Sequence, residues 1–108
     1  MILTIMLMVI TMYNDVITLK KRTILADGTQ KTVSRKVFCR ITSIGTAEFY
    51  QAYSAGLKPD IKFILADYLL YKDEDRLTYK GAEYQVLRTY QNGNELELTC
   101  QAIIGGGY

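Results

Sequence analysis

Histidine and tryptophan are absent from this 108-residue chain, proline occurs once and cysteine twice. Without histidine the commonest general base near neutral pH is missing, as is the nitrogen ligand of most catalytic zinc sites. Two cysteines do not make a disulfide framework. Cys39 and Cys100 each fall in an apolar alternating run, Val37-Phe38-Cys39-Arg40-Ile41 and Leu96-Glu97-Leu98-Thr99-Cys100, so buried free thiols and synthesis in the cytoplasm are expected. No P-loop, GxGxxG fingerprint, HExxH motif or GxSxG elbow occurs. Asp73, Glu74 and Asp75 form the one dense acidic cluster, but adjacent acids do not converge on a point and the spacing of a calcium loop is missing; Lys72 to Asp75 reads as a charged surface loop. The expectation is a protein without catalytic residues, cofactor or metal.

What the chain does have is Tyr, Val, Ile, Thr, Leu and Phe in abundance, a composition that favours pleated strands. Nine tyrosines suit extensive interfaces as well as a core edge, because the ring packs while the hydroxyl stays wet. The length allows one domain. The net charge is only +2, yet Lys20, Lys21, Arg22, Lys31, Arg35, Lys36 and Arg40 lie in the first half, and Asp60, Asp67, Asp73, Glu74 and Asp75 in the second. Two readings stand: oppositely charged solvated faces, or complementary surfaces toward neighbouring subunits or nucleic acid.

Residues 1–12, MILTIMLMVITM, are almost wholly apolar, too short to cross a bilayer and without the positive leader of a signal peptide. They are expected either to cover a sheet edge as an extra strand or to be an extension ahead of a domain starting at Met12. Residues 13–103 are expected to form the domain and residues 104–108, ending Gly-Gly-Gly-Tyr, a flexible tail.

The periodicity predicts a strand from Val16 to Ile24, a turn at Leu25-Ala26-Asp27-Gly28, and a return strand from Val33 to Ile41. In the return strand Val33, Val37, Cys39 and Ile41 take one face, and Ser34, Lys36, Phe38 and Arg40 the other. Phe38 is the odd apolar group on the wet face, under a loop or against another chain. Thr46 to Ala55 reads as a short helix capped by Thr46 and ended by Gly56, with Phe49, Ala52 and Tyr53 on one face. Ile61, Phe63 and Leu65 then alternate with Lys62, Ile64 and Ala66 until Asp67, read as a bulge or the edge of the core. Leu77 to Thr89 forms a hairpin about Gly81 with Ala82, Tyr84 and Val86 inward. Asn92-Gly93 is the tip of a second hairpin leading into Leu96, Leu98, Cys100 and Ala102. The fold expected is all-β: a small antiparallel barrel or sandwich of five to six strands with one short inserted helix.

Taken in order, Thr46-Ala47-Glu48-Phe49-Tyr50-Gln51-Ala52, Gly56-Leu57-Lys58-Pro59-Asp60, the hairpin Leu77 to Tyr90 and Glu97-Leu98-Thr99-Cys100 resemble siphophage head–tail connector proteins of the head-closure, or stopper, group. The likeness spans about Tyr13 to Gln101. It implies a homo-oligomeric ring, commonly of twelve in the virion and a monomer when free. The ring would sit at the head–tail interface between the portal and adaptor proteins and the tail-completion protein, in contact with packaged DNA and with no membrane. Assembly would take place in the host cytoplasm. The resemblance maps a channel-gating segment onto Ile44 to Lys58, with Thr46, Glu48, Phe49, Tyr50, Ala52, Tyr53 and Lys58 as its principal residues. It maps subunit or partner contacts onto Arg35, Lys36, Phe38, Arg40, Arg88 and Tyr90. A tail-completion protein of the same fold, and a monomeric nucleic-acid-binding barrel using Lys36, Phe38 and Arg40, are the alternatives.

Overall fold

The computed structural model describes residues 12–104. The expected features of residues 1–11 and 105–108 lie outside the described residues. Strands β1 (Asp15–Ile24), β2 (Gln30–Thr42), β3 (Ile61–Leu65), β4 (Arg76–Tyr79), β5 (Ala82–Asn92) and β6 (Glu95–Ala102) close into an antiparallel barrel in the order β1-β2-β3-β6-β5-β4. Helix α1 (Thr46–Ser54) lies between β2 and β3, and a short 3₁₀ turn, Tyr68–Leu70, between β3 and β4.

Alternation explains the interior. Ile17 and Leu19 of β1, Val37 and Cys39 of β2, Phe63 and Leu65 of β3, Leu77 of β4, and Leu96, Leu98 and Cys100 of β6 form one buried cluster, with Tyr79, Tyr84 and Val86 packed against it. Phe63 sits edge-on to both Tyr79 and Tyr84, with ring centroids 5.4 and 5.6 Å away. Fully burying a side chain of this size stabilises by about 1.5–3 kcal/mol, and closing the sheet leaves the core no open edge through which to fray.

Turn chemistry sets the hairpins. Lys80 (φ 48°) and Gly81 (φ 80°) form a two-residue turn between Tyr79 and Ala82, with the pair of positive φ values that matches strand twist. The last hairpin forms as expected, but its two turn residues are Gly93 and Asn94, since Asn92 pairs with Glu95. Leu96 and Leu98 point into the core from it, and Val86 packs against them.

Five local expectations are corrected. Val33 is 44% exposed although it shares a face with Val37, because β2 pairs with β3 only from Cys39 to Thr42 and β1 with β4 only from Thr18 to Lys20. Beyond those points β1 and β2 run on as a two-stranded arm that leaves the barrel. Ala82 is exposed because it sits at the barrel rim beside the turn. Asp67 makes no bulge but does stand at the edge of the core, just past the end of β3; its carboxylate accepts a hydrogen bond from the Leu69 N–H at 2.8 Å and caps the 3₁₀ turn. Thr46 does not cap α1: the N-cap is Gly45, and no side chain bonds there. Glu74, read as part of a solvated loop, is 3% exposed. Its Oε2 accepts from Arg35 Nη2 at 2.6 Å and Nε at 3.1 Å, and its Oε1 from the Lys72 N–H at 2.6 Å.

Candidate interaction surface

Helix α1 ends in a glycine-dependent stop. Gly56 (φ 82°) donates to the Tyr53 carbonyl and Leu57 to that of Ala52, both at 3.0 Å, the paired bonds of a Schellman motif. The return to β3 is fastened to the end of β6. The Lys58 N–H donates to Gln101 Oε1 at 3.2 Å, Asp60 N–H to the Cys100 carbonyl at 2.8 Å, and Ala102 N–H to Asp60 Oδ2 at 2.6 Å. Pro59 is buried beneath this link.

Between its ends the helix touches the barrel through a carboxylate. Glu48 Oε2 accepts from Lys62 Nζ at 2.8 Å, and Oε1 accepts from Thr99 Oγ1 at 3.2 Å and from the Arg88 guanidinium. Lys62 also pairs with Glu97 at 3.0 Å. The register explains the convergence: Thr42, Lys62, Thr99 and Arg88 form one outward-facing row across β2, β3, β6 and β5. Arg88 belongs to that row only because β5 bulges between Val86 and Arg88, which turns its side chain from the interior to the outer face. Partial burial raises the Glu48 carboxyl, but the hydrogen bonds and charges of Lys62 and Arg88 outweigh it and hold the group below the usual range.

The aromatic side chains of α1 turn away from this contact. Phe49 is 37%, Tyr53 57% and Tyr50 67% exposed, and Phe49 stacks on Tyr53 at 6.1 Å and meets Tyr50 edge-on at 5.9 Å. Phe49 and Tyr53 share one face of the helix as expected, but that face is not buried, and Ala52 at its margin lines the concavity beneath the helix. A concavity of about 190 Å³ remains under the helix, lined by Ala52, Leu57 and Leu87 with Glu48 and Arg88.

The expected contact residues do not form one patch. Phe38 is 52% exposed, opposite Val16 of β1 at 43%, on the outer face of the barrel. Lys36 is exposed on the same face of β2. Arg40, also on that face, forms a bidentate pair with Glu95, both bonds 3.1 Å, and Glu95 accepts a further bond from the buried Tyr13 hydroxyl at 2.6 Å. Arg40 first, then Tyr13, holds the Glu95 carboxyl below its ordinary value. Arg35 faces the opposite way and is held by Glu74 and by the Leu70 carbonyl at 2.6 Å. Tyr90, 61% exposed, stands outward on β5 in the row of Arg40, Ile64 and Glu97. The sequence reading gave Lys62, Thr99, Glu95, Tyr13 and Glu74 no partners; those partners are distant in the chain, and the fold brings them together.

Cys39 and Cys100 are free and buried, and burial pushes each thiol up to about 12, so neither supplies a thiolate at neutral pH. Among the described residues no group of three His, Cys, Asp or Glu side chains is placed to hold a metal ion. No described helix is long and apolar enough to cross a membrane. The chain matches no protein-family model and no curated protein.

Proposed function

We propose that this chain is a structural head–tail connector of the head-closure group. It forms a ring, of twelve copies in the virion, beneath the portal and adaptor, closes the DNA channel after packaging and offers the docking surface for the tail-completion protein. The observation that carries this reading is the orientation of α1. A helix of nine residues is marginal alone, and one on a small domain ordinarily buries its apolar side. Here a carboxylate makes the attachment and three aromatic rings are left outward, on a segment fastened at its C-terminal end by Gln101 and Asp60. Repeated around a ring, such segments bring a collar of aromatic surface to a common axis, where contacts between copies offset the cost of ordering them.

The test is a comparison of heads assembled with the normal chain, without it, and with Phe49→Ser, Tyr50→Ser and Tyr53→Ser combined. The reading predicts that heads lacking the chain lose DNA and take no tails, and that the triple variant occupies the portal vertex but leaks DNA. Heads that retain DNA and accept tails without the chain would overturn it.

A further inference from the structure

The β1–β2 arm carries chemistry that the connector reading does not use. From Lys21 to Ile24 and from Gln30 to Val33 it stands on two strands alone. On the face continuous with the barrel interior a concavity of about 380 Å³ opens at its root, lined by Lys21, Thr23, Val33, Arg35, Lys72 and Glu74. Lys31 faces Thr23 across the ladder on this same side, one step nearer the tip.

The charges in this groove do not cancel. Glu74 is 3% exposed, and both its oxygens are engaged, by Arg35 and by the Lys72 N–H. Arg35 and Glu74 therefore neutralise each other. The ammonium groups that remain belong to Lys21, Lys31 and Lys72, all on exposed residues. Lys21 makes one long hydrogen bond, 3.4 Å, to the Lys72 carbonyl, and none of the three forms an ion pair among the described residues. Asp27, at the tip, is the acid on the arm, and its Oδ1 is engaged by Thr29 through the N–H at 3.0 Å and the hydroxyl at 2.6 Å.

Lys21 and Lys31 are diagonal neighbours across the ladder, and such neighbours are about 7–8 Å apart, of the same order as neighbouring phosphates on one strand. A two-stranded ribbon also fits the major groove of a duplex, where apolar side chains contact thymine methyl groups; Ile24 is 70% and Leu25 43% exposed. Cations placed in succession along a narrow ribbon, Lys72 and Lys21 at the concavity and Lys31 nearer the tip, match a linear polyanion better than the flat surface of a bilayer.

We infer that this face of the arm, through Lys21, Lys31 and Lys72, binds the phosphodiester backbone of duplex nucleic acid. The inference goes beyond the connector reading and stands on the arm alone. It is tested with the full chain and a fluorescently labelled duplex of about 20 base pairs, by anisotropy between about 50 and 200 mM salt. Each lysine that neutralises a phosphate adds about 0.9 to the log–log salt slope, so the combined Lys21→Gln, Lys31→Gln, Lys72→Gln variant should lose about 2.7 of slope and bind at least about tenfold more weakly at low salt. Lys80→Gln, at the distant β4–β5 turn, should leave the slope unchanged, and arginine at the three positions should preserve it. Single glutamine substitutions, each expected to lower the slope by about 0.9, serve if the triple variant melts early. Absence of duplex binding by the normal chain at low salt, an unchanged slope in the variants, or binding only to vesicles containing phosphatidylserine would overturn the inference.

Discussion

Glu48 of helix α1 and Lys62 of β3 meet at 2.8 Å across fourteen residues of chain, and through this pair the helix is held to the barrel. Both side chains are largely buried, at 17% and 13% exposure. Hydrogen bonds to a charged group contribute about 1.5–3 kcal/mol each, and partial solvent access places this contact near the lower end. Glu48→Gln is therefore expected to lower the local opening free energy of α1 by about 1–2 kcal/mol, read as faster amide hydrogen exchange from Phe49 to Leu57. Amides of β3 and β6 should keep their protection. Unchanged exchange in the helix would mean that something other than this carboxylate holds it.

A second prediction concerns an asymmetry. Removing Arg35 leaves the buried Glu74 carboxylate without its cation, whereas removing the charge of Glu74 leaves an arginine with 30% of its side chain exposed, able to turn toward water. Stranding a buried charge costs about 3–5 kcal/mol, while the exposed partner loses much less. Urea titrations should place Arg35→Met at least about 1 kcal/mol below Glu74→Gln in stability. Equal losses would contradict the buried clasp.

Leu98 and Val33 obey the same alternation but differ in environment, one fully buried and one 44% exposed. Leu98→Ala should cost about 2–5 kcal/mol and Val33→Ala less than about 0.5 kcal/mol. A change below about 0.5 kcal/mol at Leu98 would count against its place in the core.

That contrast marks how far the sequence is legible. Period-two alternation identified the strands, and the Gly81 and Gly93 hairpins, because a half-buried ladder imposes that pattern locally. It could not say where the barrel ends along β1 and β2, since that depends on how far β3 and β4 reach to pair with them. Val33, in phase with Val37, was misplaced for this reason. The adjacent apolar pair Val86 and Leu87 was a faint sign of the bulge that re-aims Arg88, but the bulge is a property of two strands together. The helix was readable from spacing and from Gly56, whereas its docking residue is the polar Glu48, with partners 14, 40 and 51 residues away. Long-range ion pairs leave no periodic trace.

Acidification should expose the polar lattice. The carboxyls of Glu48, Glu83 and Glu95 are each held below their ordinary value: Glu95 by Arg40 and Tyr13, Glu83 by Lys20 with help from Thr78, and Glu48 by Lys62 and Arg88 against its burial. A carboxyl lowered on folding binds protons more readily in the unfolded chain. Its stabilisation is complete above the unfolded value of about 4.3 and is lost as pH falls through the folded value. Thermal unfolding should be insensitive to these groups from pH 6 upward and fall steeply below about pH 4, and Glu95→Gln should flatten that decline. An equally steep acid limb in Glu95→Gln would assign the loss to other groups.

The connector reading itself is tested most directly by imaging the portal vertex of heads that carry this chain and of heads that lack it. Class averages are expected to gain a ring of twelve copies beneath the portal and adaptor, with the α1 segments facing the central axis. A vertex of identical outline with and without the chain, while the protein stays monomeric in the same lysate, would contradict the account.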